Sequence, residues 1–314
     1  MKIVCLDVES LGPAVPNVSL FQQYGEVVYF DDTKPEETVD HIGSAEIIVT
    51  NKVRVNRAIM EACPNLRLIC VAATGLNTID IEAAAEKGIQ VKNVSGYSTQ
   101  SVTQITFAIL LSLMCNIEYY NRFVRSGEYS KSNSFTHYGR MYWELAGKQF
   151  GIIGLGVIGK RVAEVAAAFG ARPVYYSTSG KNLNADYQRL ELDDLLRTSD
   201  VVSIHAPLNH DTKNLIDYRR ICLMKPTAYL LNMGRGQIIN EADLARALDE
   251  ERIAGAGLDV HEKEPIQANN PLLSVKNRER LIQTPHIAWI SNEARTLLVA
   301  KVAENIRDFL ASCR

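Results

Sequence analysis

Short β-rich runs alternate along this chain with stretches of helical character. In the N-terminal part the strand-like runs are Lys2–Leu6, Glu26–Phe30, Glu46–Thr50, Arg67–Val71 and Gln90–Asn93. Between them, the Ala-rich stretch Asp80–Lys87, closed by Gly88, predicts a helix. Strands that alternate with helices build a parallel sheet with helices on both faces. A second series starts at Lys148. Its strands are expected at Gln149–Ile153, Pro173–Tyr176, Val201–Ile204, Ala228–Leu231, Ala256–Asp259 and Leu281–Gln283, with helices at Val157–Phe169 and Glu241–Glu250. Six strands with five crossovers match the dinucleotide-binding architecture.

A long helix is expected from Ser101. The sequence Ser101-Val102-Thr103-Gln104 fits a capping box, and an apolar run to Cys115 follows. Such continuous hydrophobicity predicts burial on most sides and fits a helix between two domains. Residues 126–146 read as irregular yet carry Tyr129, Phe135, Tyr138, Tyr142 and Trp143. Aromatics in a loop suit either a partner surface or a loop folded back on its own domain. The last segment, Asn292–Leu310, has an ordinary amphipathic helical pattern and is expected to return to the first domain.

With 314 residues the chain has room for two domains. Its net charge of -2 offers no basic footprint for nucleic acid. The longest apolar stretch, Ile105 to Cys115, is too short to span a bilayer and contains Thr106 and Ser112. Residues 1–10 read as a first strand and carry no secretion signal, so a cytoplasmic setting is expected. The six cysteines form no C-x-x-C pair, which argues for buried free thiols and against a metal site.

Gly154-Leu155-Gly156-Val157-Ile158-Gly159 follows a predicted strand and opens a predicted helix. In that setting the first glycine permits the tight turn, the second admits a pyrophosphate, and the third lets helix and strand pack closely. The helix N-terminal N–H groups then face the phosphates. About 20 residues on, NAD-specific sheets carry an acid for the ribose hydroxyls. Here that position reads Tyr175-Tyr176-Ser177-Thr178-Ser179-Gly180-Lys181, and no acid appears until Asp186. The hydroxyls of Ser177 and Thr178 with Lys181 suit a 2′-phosphate, so NAD or NADP is expected, with a lean to NADP. The other reading gives Ser177 the ribose and leaves Lys181 solvated.

Ligands of doubly wound sheets bind outside the C-terminal strand ends. Those ends carry His205-Ala206-Pro207, Asn232-Met233-Gly234-Arg235-Gly236, Asp259 and Thr284-Pro285-His286. Arg235 can clamp a carboxylate in two parallel hydrogen bonds and polarise a neighbouring ketone. Gly234 and Gly236 would let backbone approach a nicotinamide. His286 is the candidate acid/base, because a 2-oxo acid accepting hydride needs a proton on its carbonyl oxygen. Glu264, preferred over Glu262 because Pro265 fixes the chain beside it, would bond the far ring nitrogen and favour the charged ring. His205 is expected to line the cofactor groove through its backbone, and His41, His137, His210 and His261 are read as structural or surface residues. No G-x-S-x-G elbow supports a serine nucleophile.

At these residues the chain resembles the D-2-hydroxyacid dehydrogenase family over nearly its whole length. The resemblance is carried by Ala73-Thr74-Gly75-Leu76-Asn77-Thr78-Ile79-Asp80, the glycine fingerprint, Ser199-Asp200-Val201-Val202, His205-Ala206-Pro207-Leu208, Gly234-Arg235-Gly236, Gly257-Leu258-Asp259-Val260, Glu264-Pro265 and Pro285-His286. It implies an α/β fold of two doubly wound parallel-sheet domains with a cleft between. Residues 99–287 would form a Rossmann cofactor domain, and residues 1–98 with 288–314 a smaller flavodoxin-like substrate domain. It also implies that Arg235, Glu264 and His286 carry catalysis and that backbone N–H groups of Thr74 and Gly75 meet the substrate carboxylate. Asp259 would bind the nicotinamide carboxamide, Val157 and Ile158 the pyrophosphate turn, and Thr212 the phosphate side. Family members are usually dimers through the segment corresponding to 120–146, so a homodimer is expected.

Within the family the chain is similar to glycerate dehydrogenases, which reduce hydroxypyruvate. Gly96-Tyr97-Ser98-Thr99, Glu144-Leu145-Ala146-Gly147-Lys148 and His286-Ile287-Ala288-Trp289 carry that likeness. It departs from the family at Ile105, where histidine is common, and at the missing acid near Ser177. Other substrates, such as glyoxylate or phosphoglycerate, are alternatives. Phosphoglycerate fits less well, because no basic cluster lies near Thr74 and there is no room for a regulatory domain. A different class of function, a nucleotide-sensing binding protein like the family's corepressors, would keep the same fold.

Overall fold

The computed structural model describes residues 1–313 apart from Pro16, Asn182 and Ala185. Two compact units divide the chain: Met1–Ser98 with Trp289–Arg314, and Thr99–Ala288.

The first unit holds five parallel strands, β1 (Lys2–Cys5), β2 (Glu26–Tyr29), β3 (Ile47–Thr50), β4 (Leu68–Val71) and β5 (Gln90–Lys92), in the order β2-β1-β3-β4-β5. That 2-1-3-4-5 order is the flavodoxin-like one. Alternate residues of a strand point to opposite faces, so each sheet face needs its own cover. Ile3, Ile47, Val49 and Leu68 pack with Leu298, Val302 and Ile306 of the C-terminal helix Asn292–Ser312. Val4, Ile48, Ile69 and Val71 pack on the other face with Met60 and Ala83. Side-chain caps start the helices: Asp80 accepts from the Ala83 N–H at 2.9 Å, and Ser291 Oγ from the Ala294 N–H at 3.1 Å.

The second unit holds β6 (Gln149–Ile153), β7 (Arg172–Tyr176), β8 (Gln188–Arg189), β9 (Val201–Ile204), β10 (Tyr229–Asn232), β11 (Gly255–Leu258) and β12 (Leu281–Gln283). Their order is β12-β11-β10-β9-β6-β7-β8, all parallel, with the winding reversing between β6 and β9. Seven strands stand where six were expected. The additional β8 is two polar, exposed residues long, so it carries no alternating apolar pattern to be read.

The long helix runs Thr99–Met114, two residues earlier than expected, and this corrects the capping box. Ser101 lies inside the first turn, and Thr103 Oγ1 donates back to the Thr99 carbonyl at 2.8 Å. The helix is buried on most sides, with Phe107 stacked on Phe150. Gly257 makes room for it, since a Cβ there would stand 2.3 Å from Ile109 Cγ2. Residues 126–146 hold only a short turn at Tyr129–Lys131 among the described elements. Phe135 is 90% exposed there, and Tyr138 and Tyr142 are also largely exposed, whereas Trp143 packs against Tyr229 with ring centroids 5.8 Å apart. No single helix among the described residues is long and apolar enough to cross a membrane.

Candidate active site

Because the seven strands run parallel, their C-terminal ends share one edge. That edge carries Gly154 after β6, Ser177 after β7, His205 after β9, Arg235 after β10, Asp259 after β11 and His286 after β12. The site divides into two stretches of this edge.

Along β10, β11 and β12 the candidate catalytic groups and their supports are bound to one another, although Gln283 Oε1 and His261 Nδ1 are buried without a hydrogen-bond partner among the described residues. His286 Nδ1 meets Glu264 Oε2 at 2.7 Å, and the other carboxylate oxygen accepts the His261 N–H at 3.0 Å. Among the described residues the carboxylate on His286 is that of Glu264, while the backbone N–H of Glu262 donates to Glu241 Oε1 at 2.8 Å. With Nδ1 engaged, Nε2 of His286 is the nitrogen left for chemistry, and the side chain remains partly exposed. Its backbone sits in the left-handed region at φ 56°, which a non-glycine residue adopts only when its surroundings fix it.

Asp259 supplies that fixation. Its carboxylate is 1% exposed and accepts Thr284 Oγ1 at 2.7 Å, the Ile287 N–H at 2.8 Å and the Ala288 N–H at 2.9 Å. The His286 N–H closes onto the Asp259 carbonyl at 2.8 Å. Burial raises the Asp259 pKa, and the three donors only partly offset it. The residue thus grips the loop on both sides of His286.

Arg235 is positioned by Asn232, whose Nδ2 donates to the Arg235 carbonyl at 2.9 Å while its Oδ1 accepts the Gly234 N–H at 3.0 Å. Asn232 and Met233 are both buried. The guanidinium is half-buried and bonds the Gly234 carbonyl at 2.8 Å through Nη1. The flanking glycines also answer a packing demand of the protein itself. A Cβ on Gly236 would stand 1.9 Å from the His261 carbonyl carbon, and one on Gly234 would stand 2.9 Å from the Ala206 carbonyl oxygen. Neighbouring backbone therefore already fills both spaces. The contact from Gly236 to His261, and from there to Glu264 and His286, joins the three candidate catalytic residues in one continuous structure.

Along β6, β7 and β9 the edge is built differently. Gly154, at φ 93°, lies so close to Ala206 that a Cβ would meet its backbone at 2.8 Å. A Cβ on Gly159 would stand 2.2 Å from the Gly154 carbonyl oxygen, whereas one on Gly156 would meet nothing within 4 Å. Gly156 is also the N-cap of the helix Val157–Ala168 and offers no side chain to its first N–H groups. Val157 is 68% exposed at that end, and Ile158 is partly buried.

Ser177 Oγ and His205 Nδ1 are both buried without a partner among the described residues. The His205 N–H donates to the Ile153 carbonyl at 2.8 Å, so that half of its backbone belongs to the sheet, and its ring lies at the strand end. The ring's Nε2 meets Ser203 Oγ at 2.8 Å. Burial pulls the His205 pKa down to about 3 and keeps the ring neutral. Thr212 is buried, with its hydroxyl donating to the Pro207 carbonyl at 2.7 Å, and it holds the turn after Ala206. Thr178 is partly buried beside Ser177. An open glycine at an uncapped helix start and two orphaned buried polar atoms fit a dinucleotide.

In the first unit, Thr74 and Gly75 follow β4. Thr74 Oγ1 donates to the Val94 carbonyl at 3.1 Å, and Asn93 Nδ2 donates to the Thr74 carbonyl at 2.6 Å. Their own N–H groups find no acceptor among the described residues. The four histidines read as structural or surface residues are in such places. His41 stacks on Phe30 and His137 on Phe123, His210 is fully exposed, and His261 is buried 3.5 Å from Glu241. Sequence reasoning took Asn232 and Met233 for cofactor contacts and did not see Asn232 or Thr284 as positioning groups. The signal available for both was a small polar residue at a strand end, two or three places before the residue it serves.

Comparison with known proteins adds the lineage. The family profile of the D-isomer specific 2-hydroxyacid dehydrogenase NAD binding domain matches residues 107–288. The chain is 38% identical to a hydroxypyruvate reductase of Blautia hydrogenotrophica, over 99% of this chain and 97% of that one. It is 36% identical to a glycerate dehydrogenase of Methylorubrum extorquens, over 99% and 96%. Among solved structures, an acyclic imino acid reductase in complex with NADPH and D-Arg superposes with a TM-score of 0.89 at 29% identity, over 99% and 98% of the two chains. A D-lactate dehydrogenase from Aquifex aeolicus, complexed with NAD and lactic acid, gives 0.85 at 26% identity, over 99% and 96%.

Proposed function

The chain belongs to the D-isomer specific 2-hydroxyacid dehydrogenase family, and from that premise we propose that its substrate pair is hydroxypyruvate and D-glycerate. It is an oxidoreductase that uses a nicotinamide coenzyme, which when bound supplies or accepts the hydride at substrate C2. Arg235 holds the substrate carboxylate through paired N–H donors and polarises the adjacent carbonyl. His286 Nε2 carries the proton to and from the C2 oxygen. Glu264, on Nδ1, sets the tautomer and the ring's aim. Asp259 keeps the His286 loop in the conformation this requires. The backbone N–H groups of Thr74 and Gly75 are the first unit's own anion-binding element.

The observation that carries this reading is the 2.7 Å pair of Glu264 and His286, on the same sheet edge as Arg235 and an open glycine cradle. We assign coenzyme binding to the unit Thr99–Ala288, and NADP over NAD for want of an acid at Ser177. The exposed aromatics Phe135, Tyr138 and Tyr142 support a homodimer through residues 120–146. The buried free thiols Cys5, Cys63 and Cys70 suit a reducing cytoplasm.

A spectrophotometric screen tests the substrate. Hydroxypyruvate, glyoxylate, pyruvate and longer 2-oxo acids are each offered with NADH and with NADPH. Hydroxypyruvate is expected to give the highest kcat/KM; a higher value for another 2-oxo acid reassigns the substrate. Absence of turnover with every pair favours a binding protein on this fold.

A further inference from the structure

The turn after β7 runs from Ser177 to Lys181 and carries no acid. An acid there serves NAD because its two oxygens match both ribose hydroxyls, and its charge repels a 2′-phosphate. Ser177 removes that repulsion and leaves a buried hydroxyl without a partner among the described residues at the strand end. The turn lies directly against the glycine fingerprint, since the Gly154 N–H donates to the Tyr176 carbonyl at 3.0 Å.

The edge strand β8 adds a cation to this turn. Parallel pairing sets Arg189 opposite Tyr175, two residues before Ser177, and the Leu190 N–H fixes the register on the Tyr175 carbonyl at 2.8 Å. From there the guanidinium reaches back over the turn. Nη1 donates to the Gly180 carbonyl at 3.2 Å, and Nη2 lies 4.0 Å from where a Gly180 Cβ would stand. Gly180 has φ 69°, so the turn keeps a tight form with no side chain between the cation and the backbone. Neither Arg189 nor Lys181 forms an ion pair among the described residues. Arginine offers five N–H donors in a fixed fork suited to phosphate, and Arg189 uses one of them on Gly180.

We propose that Arg189 selects the coenzyme, by pairing with the 2′-phosphate of NADPH, with Lys181 as a second cation on the same turn. The proposal rests on the nicotinamide-coenzyme reading of this edge. Its rival is Asp186 on the same connection, whose N–H bonds Asn184 Oδ1 at 2.7 Å and whose carboxylate would serve ribose hydroxyls instead.

Calorimetry on the full chain separates these readings without relying on turnover. The titrants are NADPH, NADH, 2′,5′-ADP and 5′-AMP, against the wild type, Arg189→Gln, Arg189→Lys and Asp186→Asn. Wild type is expected to bind 2′,5′-ADP at least about tenfold more tightly than 5′-AMP, as one charge-assisted phosphate contact implies. Arg189→Gln should remove most of that ratio, Arg189→Lys should restore part of it, and added salt should shrink it. An unchanged ratio in Arg189→Gln overturns the proposal. So does a wild type that prefers 5′-AMP and NADH and loses NADH affinity in Asp186→Asn. Failure to bind either coenzyme overturns the coenzyme reading itself, and this proposal with it.

Discussion

Two stretches of one sheet edge differ in how their candidate functional groups are held. Along β10 to β12, Asp259 takes three donors from residues 284–288 and both oxygens of Glu264 are bonded, while Gln283 Oε1 and His261 Nδ1 are buried there without a hydrogen-bond partner among the described residues. Along β6, β7 and β9, Ser177 Oγ and His205 Nδ1 are buried without partners among the described residues, and an added methyl at Gly156 would meet nothing within 4 Å. A stretch that moves protons must hold its groups in one geometry before substrate arrives, because misplacement costs rate. A stretch that only binds can leave its polar groups to the ligand. On the proposed function the contrast separates chemistry from binding along one row of strand ends, and substitutions can break it or sharpen it.

The largest effect is expected at His286. His286→Ala should lower kcat by roughly 10²- to 10⁴-fold, the usual contribution of a positioned acid/base. The Kd of the coenzyme, followed by fluorescence titration, should stay within about twofold if the two stretches are separate, since among the described residues the bond to that ring comes from Glu264. A loss of coenzyme affinity as large as the loss of kcat would erase the distinction. Glu264→Gln is milder, because an amide oxygen still accepts from Nδ1 while the charge is gone. A fall in kcat of about tenfold is expected, at the low end of acid/base contributions. Glu264→Ala, which removes the acceptors of both His286 and the His261 N–H, should fall further in the same assay.

The binding side should declare itself through stability against pH. An unfolded histidine takes up a proton below about pH 6.5. Folded His205 refuses that proton until about pH 3, because burial disfavours the charged ring. The unfolded state therefore binds more protons in this window. The stability His205 contributes is present above about pH 6.5 and is lost as pH falls towards 3. One unit below 6.5 the loss is about 1 kcal/mol. Asp7 and Asp259, whose pKa values burial raises, act with the opposite sign. The difference between wild type and His205→Gln therefore isolates the ring. Thermal melts at pH 7.5 and pH 5.5 should show the wild type losing ground to the variant; a constant gap would mean that solvent or a neighbour already protonates the ring.

How much of this was written in the chain depends on how local the cause is. Strand and helix alternation, the glycine turn, and the choice of Glu264 over Glu262 were readable because each rests on adjacent residues. β8 was not, since its two polar residues become a strand only because β7 offers an edge, and with it the place of Arg189 was hidden. The helix start at Thr99 escaped because Ser101 mimics a cap. That Gly234 and Gly236 also make room for the backbone of Ala206 and His261 was hidden, because a sequence does not show which segments meet there. The grip of Asp259 on Ile287 and Ala288 joins residues 28 and 29 places apart, which only the register of β11 and β12 brings together.

The smallest effect on folding, and the sharpest test of the contrast, is expected at Gly156. Its neighbour in the fingerprint, Gly159, has no room, since an added methyl would meet the Gly154 carbonyl oxygen at 2.2 Å and the turn would have to move. At Gly156 the same methyl meets nothing within 4 Å, and the backbone, at φ -81° and ψ -163°, is one any residue adopts. Gly156→Ala should therefore leave the coenzyme-free protein within about 1 kcal/mol of the wild type, since a less disordered unfolded chain offsets the poorer N-cap that alanine makes. Coenzyme affinity should fall all the same, because the methyl projects where backbone N–H groups await phosphate. Melting curves without ligand and calorimetric titration with coenzyme give the two halves of the result. A variant that keeps both its melting temperature and its coenzyme affinity would show that the pyrophosphate lies elsewhere. One that loses both would show that the open space carries a structural demand not evident from its neighbours.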